Sequence, residues 1–263
     1  MKNKISLNPR LVGVVDAILN MVLVVFLEFL FSWSMLLIIF LVKQIIWLLL
    51  IRFMYYPLQT IKWRHYLSLC IFSIGFILVI LFVESNLVRY IISFTFIFLV
   101  FTSFWFLPKS KIELALFFKP HSRWRFIMAV MGLSGIFIGA QAIISFNILS
   151  GIHSWWWLIL SSLFAILVAA WWWWEYSIKF DFRFLVTVFV FFVLFVEFSW
   201  VMYKLPLGHL INGLILVWIW YLLWLFTRFN LTTQGIKWKQ QYRFLILNSL
   251  LFLFFLLFVV RWK

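Results

Sequence analysis

Apolar residues run along this chain in long uninterrupted blocks separated by short basic breaks. The blocks do not alternate apolar and polar positions, as strands of a membrane barrel would, so they predict helices. Each is long enough to cross about 30 Å of hydrocarbon, where backbone groups must hydrogen-bond within the segment. We expect about nine transmembrane helices, within a range of eight to ten, at 11–31, 34–55, 66–83, 88–107, 126–149, 154–174, 183–203, 207–227 and 244–260.

The breaks between blocks predict a single all-α bundle rather than separate domains. Pro57, Pro108, Gly151 and Pro206 stand where a helix should end. The longest connections, near 108–125 and 228–243, are too short for a soluble domain. We therefore predict one transmembrane helical domain over residues 1–263.

Composition agrees with a polytopic membrane protein. Apolar residues make up 67% of the 263 residues and charged residues 11%, whereas soluble domains are about half apolar and a quarter charged. The net charge of +15 is scattered among apolar blocks, so we expect no nucleic-acid partner. The first apolar block carries Asp16 and Glu28 and is too long for a signal-peptide core, so we expect it to be retained.

Basic residues predict the orientation. With nine spans and a cytoplasmic N-terminus, 17 Lys and Arg residues fall on the cytoplasmic side and 4 on the other, while Lys43 lies within a span. This bias is typical of a cell-membrane protein whose short inner loops are positive. The last residues would then lie outside. With one span more or fewer, they would lie on the cytoplasmic side instead.

Tryptophan positions support the length of the sixth span. Residues 155–157 and 171–174 are tryptophans, and the two groups are separated by about one hydrocarbon thickness of helix. Since indole rings favour the headgroup level, we expect two interfacial belts.

Ionisable residues at membrane depth are the candidates for function, because a charge in hydrocarbon is costly. In the outer half of the predicted bundle we expect a polar cluster formed by Glu28, Lys43, Glu197, His209 and Asn212. A second intramembrane acid, Asp16, lies one turn from Asn20 on the same helix face.

The cluster is open to three interpretations. It could be a structural ion pair that fixes helix register, a proton- or ion-coupled pathway with Glu197 and His209 as relay groups, or an acid or base acting on a lipid-linked substrate. No nucleotide-binding, hydrolase or metal motif is found, so we expect no cofactor, no metal and no catalytic residue.

Two further sets of residues are assigned to packing and to lipid. Small residues at helical spacing predict close helix contact: Gly135, Gly139, Ser161, Ala165 and Ala169. Basic residues between spans four and five predict contact with anionic headgroups, either from a surface helix or from a solvated loop: Lys109, Lys111, Lys119, Arg123 and Arg125.

The sequence favours a non-enzymatic membrane-embedded subunit or scaffold whose partners are lipids and other membrane proteins. A small ion- or proton-coupled transporter or channel is the alternative. An enzyme acting on a lipid-linked substrate comes third.

Overall fold

The computed structural model describes residues 7–29, 33–54, 59–107, 114–146, 154–176, 178, 180–205, 207–231, 238–255 and 257. Within these ranges the chain forms nine α-helices and no strand, which confirms the predicted all-α membrane bundle. The helices are α1 (Pro9–Phe29), α2 (Trp33–Phe53), α3 (Gln59–Phe82), α4 (Asn86–Trp105), α5 (Leu114–Ser145), α6 (Ser154–Glu175), α7 (Phe182–Lys204), α8 (His209–Leu231) and α9 (Trp238–Phe254).

Seven of the helices in the described ranges are long and apolar enough to cross a membrane, namely α1 and α3 to α8. The apolar part of α9, Gln241–Phe254, is shorter. α2 is 21 residues long and carries Lys43 and Arg52. The predicted spans thus correspond one to one with helices.

Three helix starts differ from the prediction by six residues or more. α3 begins at Gln59 rather than 66, α5 at Leu114 rather than 126, and α9 at Trp238 rather than 244. In each case the helix includes basic residues that we had assigned to connections. Charge ends the hydrocarbon-spanning part of a helix but does not break its hydrogen bonds, so apolar blocks underestimate helix length.

The contacts of the chain divide it into two compact units, Met1–Gly132 and Leu133–Lys263. The first unit contains α1 to α4 and the beginning of α5. The second contains the rest of α5 and α6 to α9. The predicted single domain stays a prediction.

Helix ends within the first unit alternate as an up-and-down bundle requires. Asn8 accepts a hydrogen bond from the Arg10 backbone N–H and caps α1, and Pro9 occupies the first helical position, where its missing N–H costs nothing. The Arg10 guanidinium then lies 4.4 Å from the ring of Trp105 at the end of α4. The Lys62 ammonium, near the start of α3, donates to the Arg52 carbonyl at the end of α2. The Leu7 backbone N–H, just before α1, donates to the Phe53 carbonyl at the end of α2, so these four basic and aromatic residues share one end of the unit.

The second unit alternates in the same way. The Arg183 guanidinium at the start of α7 donates to the Asn230 side chain at the end of α8, over 3.0 Å. At the opposite end Trp155 of α6 stacks on Trp200 of α7, with ring centroids 6.0 Å apart. α6, α7 and α8 are thus successive antiparallel neighbours.

Glycines allow the closest helix contacts. A Cβ atom added to Gly75 of α3 would overlap the backbone of Gly132 of α5, and one added to Gly213 of α8 would lie 2.6 Å from the Ile138 nitrogen. Without a hydrophobic driving force between helices in lipid, such backbone approach supplies much of the packing energy. Neither Gly75 nor Gly213 belongs to the predicted packing set.

Gly75→Ala should therefore lower the free energy of unfolding by about 1–3 kcal/mol, the usual cost of overpacking. Gly13→Ala is the control, since its new Cβ would lie 3.2 Å from Phe104 and 3.4 Å from the Phe101 carbonyl oxygen and would overlap neither. Thermal unfolding of both variants in one detergent measures the difference. Equal melting temperatures for the two would refute the assigned α3–α5 contact.

Candidate functional site

A network of polar side chains is buried between α1 and α2. Asp16 and Asn20 of α1 are 0% exposed, and Lys43 of α2 is 4% exposed. Trp47, one turn after Lys43, is also fully buried. We call these four residues the α1–α2 polar network.

Hydrogen bonds join the network into one chain of donors and acceptors. The Lys43 ammonium donates to the Asn20 carbonyl oxygen, and the Asn20 amide donates to one Asp16 carboxylate oxygen over 3.0 Å. The Trp47 indole N–H donates to the other Asp16 oxygen. Asp16 and Lys43 attract each other and are linked through the Asn20 amide. Because the network contains one acid and one base, it has no net formal charge.

Aromatic rings complete the surroundings of the lysine. The Lys43 nitrogen lies 4.4 Å from the centroid of the Trp47 ring and 4.5 Å from that of Phe96 on α4. Ring faces attract a cation, and more strongly where water is excluded. Lys43 is therefore held by α1, α2 and α4 together.

The antiparallel hairpin explains why these four residues meet. Residues at equal distance from the turn lie at equal depth. Asp16 and Trp47 are equally far along the chain from the midpoint between residues 31 and 32, and so are Asn20 and Lys43. Each helix contributes two side chains spaced by four, which places them on one face. The network therefore consists of two residue pairs between the helices, Asp16 with Trp47 and Asn20 with Lys43.

This geometry corrects the predicted partners of Lys43. Glu28 lies eight residues beyond Asn20 on α1, about 12 Å along the axis, which is farther than a lysine side chain extends. The side chain of Glu28 lies outside the described residues. Asp16 and Asn20, which we had treated as a separate site, are the partners instead.

The other members of the predicted cluster lie in the second unit. Asn212 is buried and its amide donates to the Met202 carbonyl over 2.8 Å, which ties α8 to α7. The His209 ring lies 5.2 Å from the ring of Phe146 at the end of α5. Glu197 is exposed on α7.

Glu197 occupies an outward-facing apolar surface of α7. Large apolar side chains surround it at helical spacing, and all of them are more than a third exposed: Phe182, Leu185, Val186, Phe189, Val190, Val193, Trp200 and Val201. We call these residues and Glu197 the α7 face. Among the described residues no side chain forms a hydrogen bond or ion pair with Glu197.

Depth makes this glutamate unusual. It lies seven positions before Lys204 at the end of α7, which is roughly 10 Å of helix. A carboxylate side chain is too short to reach the helix end, and a charge within a span costs on the order of 2.5–3.5 kcal/mol on insertion scales. An acid at this position is therefore a candidate for a functional role.

The opposite face of α7 is tied into its unit by small polar groups. The Ser199 hydroxyl lies 3.5 Å from that of Ser162 on α6, and the Gln141 amide of α5 donates to the Ser199 carbonyl at 3.5 Å. Ser199, Ser162 and Gln141 are buried. This inner face fixes the direction in which Glu197 points.

Tryptophans in the second unit serve packing as well as the interface. Trp155, Trp156 and Trp174 are exposed, as the predicted belts require. Trp172 and Trp173 are buried, and the Trp173 indole donates to the Trp224 carbonyl over 3.3 Å. The prediction of a second interfacial belt at residues 171–174 is therefore corrected, because two of its four rings are buried in the core.

The predicted packing residues are all buried, and one of them accepts an interhelical bond. The Ala165 carbonyl receives the indole N–H of Trp220 on α8 over 2.9 Å. The buried set comprises Gly135, Gly139, Ser161, Ala165 and Ala169.

The basic residues that we predicted to contact lipid headgroups fall into different environments. Lys109 and Lys111 lie outside the described residues, as does the side chain of Lys119. Arg123 is exposed on α5, but Arg125 is 1% exposed. Arg125 is thus a buried side chain of the first unit, which corrects its assignment to the lipid surface.

The apolar helical bundle defines a multi-pass membrane protein. Comparison with known protein families, with characterised proteins and with solved structures gives no match.

Neutralising one charge of the α1–α2 polar network should destabilise the chain. Asp16→Asn keeps the acceptor for Trp47 but leaves the Lys43 charge unpaired, which typically costs about 3–5 kcal/mol. Lys43→Met leaves the Asp16 charge unpaired and should cost a similar amount. The double variant should recover most of this loss, because no lone charge stays buried.

Unfolding of the four proteins in detergent gives the coupling energy of the cycle. Lys204→Met, which removes an exposed lysine, is the control for general loss of charge. Strictly additive losses would show that Asp16 and Lys43 act independently.

Proposed function

We propose that this chain is a membrane-embedded subunit that binds the transmembrane segment of another protein through its α7 face. The partner segment carries a Lys or Arg that pairs with Glu197. The exposed position of that carboxylate in an apolar surface is the observation that carries the proposal.

Charge and symmetry favour a different protein over a second copy. A symmetric dimer in a membrane has its axis along the membrane normal, so two α7 faces in contact would bring two Glu197 carboxylates to the same depth. Like charges repel strongly where water is scarce. A basic residue in an unrelated span removes the repulsion and lowers the cost of both charges.

The distribution of buried and exposed residues on α7 also supports a binding role. Its buried residues are few, namely Phe184, Phe191, Phe195 and Ser199, and the remaining surface is rich in phenylalanine and valine. Aromatic side chains supply large contact areas at small entropic cost. The face therefore combines a broad apolar contact with one charge that selects the partner.

We place the protein in the cell membrane, with its N-terminus in the cytoplasm. Arg10, Arg52 and Lys62 lie at one end of the first unit. Their common end supports the charge count from the sequence, because positive residues accumulate on the cytoplasmic side.

Ion or proton transport is the second candidate. The observation that favours it is the buried pair of opposite charges, Asp16 and Lys43, at membrane depth. The hydrogen bonds within the network instead favour a structural role, since both Asp16 oxygens already accept.

The α7 proposal predicts that Glu197→Gln releases the partner. The variant keeps the size of the side chain and removes its charge, so co-purification of the partner from native membranes in mild detergent should fall at least fivefold. Stability should change by less than about 0.5 kcal/mol, because the residue is exposed. Glu84→Gln, at an exposed glutamate between α3 and α4, should change neither quantity.

A photo-crosslinking amino acid at Val193 makes the test specific. Peptide sequencing of the adduct should identify an apolar span with a Lys or Arg, and Glu197→Gln should abolish the adduct. Val22, an exposed valine on α1, is the control position. Adducts with lipid alone, or with a second copy of the chain, would refute the proposal.

Transport is tested separately with the Asp16→Asn, Lys43→Met double variant. Because this variant should remain folded, its ion flux in reconstituted vesicles reports on the charges themselves. Flux in the wild type that disappears in the folded double variant would favour transport over a subunit role.

A further inference from the structure

A groove opens at the end of the α2–α3 hairpin. Its volume is about 410 Å³, and it lies between the last two turns of α2 and the first turns of α3. The lining consists of Leu48, Leu49, Ile51, Arg52, Lys62, Trp63 and Tyr66.

The two ends of the groove differ in chemistry. Arg52 and Lys62 lie together, since the Lys62 ammonium donates to the Arg52 carbonyl over 3.4 Å. One turn deeper, Leu48 and Leu49 of α2 are 41% and 48% exposed. A cationic end therefore continues into an apolar wall along the same helix.

Aromatic side chains line the side that α3 contributes. Trp63 is 61% exposed, and Tyr66 lies one turn further along α3. Both residues have an apolar ring and a polar group, a combination that suits the level of glycerol and ester groups in a bilayer. From the helix end inward, the groove thus presents positive charge, amphipathic rings and hydrocarbon.

We propose that this groove is a binding site for one anionic phospholipid. The phosphate lies between the Arg52 guanidinium and the Lys62 ammonium, and an acyl chain lies along Leu48 and Leu49. The order of chemical groups in the groove matches the order within a phospholipid, and two neighbouring cations favour an anionic headgroup. The site is distinct from the α7 face, so either proposal can fail without the other.

Arg52 and Lys62 offer different contacts to the phosphate. A guanidinium can donate two parallel hydrogen bonds to phosphate oxygens, whereas an ammonium acts as a point charge. Arg52 is exposed, and its position in the last turn of α2 directs it to the headgroup level. Arg52 therefore adds directional hydrogen bonds to the positive charge that both residues supply.

Native mass spectrometry of the detergent-purified full chain tests the site. Titration with phosphatidylglycerol should give a first binding event at least tenfold tighter than titration with phosphatidylcholine. Arg52→Gln and Lys62→Gln should each weaken this event about fivefold, and together about 25-fold, since each cation near the membrane surface contributes roughly that factor.

Arg123→Gln is the matched control, because it removes an exposed cation outside the groove. General attraction of anionic lipid to a positive protein would fall as much in this variant as in Arg52→Gln. Equal weakening of the two would overturn the proposal. So would equal affinity for the two lipids.

The wild-type chain provides a test that needs no variant. Phosphatidylglycerol with a photoreactive acyl chain should label peptides within residues 48–66. Labelling elsewhere would overturn the proposal. Soluble glycerophosphate should not displace the lipid at equal concentration, and displacement would show a site for free anions instead.

Discussion

Polar groups inside a membrane must find partners within the protein, because hydrocarbon offers none. The first unit meets this constraint with the α1–α2 polar network, in which an acid, an amide, a base and an indole bond to one another. The second unit meets it with bonds from side chains to helix carbonyls, as Asn212 and Trp220 show. Glu197 is the exception that points outward, which is why it directs the functional proposal.

The fold follows from the sequence because one physical quantity, the length of apolar helix needed to cross a bilayer, sets the pattern. Blocks of apolar residues gave the number and order of helices. They did not give the true beginnings of α3 and α5, where basic residues at the headgroup level continue the helix. Hydropathy reports where hydrocarbon ends, whereas the hydrogen-bonded helix ends elsewhere.

The site was only partly predictable. Asp16, Asn20 and Lys43 were recognised as polar residues at membrane depth, but Lys43 was assigned to the outer-half cluster and Asp16 with Asn20 to a separate site, because their depths were not compared across the α1–α2 hairpin. Counting outward from the hairpin turn would have paired Asn20 with Lys43 directly. The same count pairs Arg52 with Lys62 and Arg183 with Asn230. Trp47 was missed because an indole in an apolar run resembles any other large side chain.

The residues around Glu197 in the sequence do not indicate that its side chain is exposed. α7 is apolar around its whole circumference, so no stripe distinguishes the face that packs from the face that does not. Only the positions of α6 and α8 make that distinction. The burial of Arg125 had the same cause, since a guanidinium among aromatic residues looks the same in sequence whether it lies on a surface or in a core.

The one cysteine of the chain, Cys70, lies within α3 and its thiol donates to the Gln44 side chain of α2 over 3.0 Å. Maleimides react with a thiolate in water, and a hydrogen-bonded thiol at this depth offers neither the charge nor the access. The native chain is thus a ready background for scanning with introduced thiols. Membrane-impermeant reagents applied to intact cells would then read the sidedness of each loop without any prior removal of Cys70.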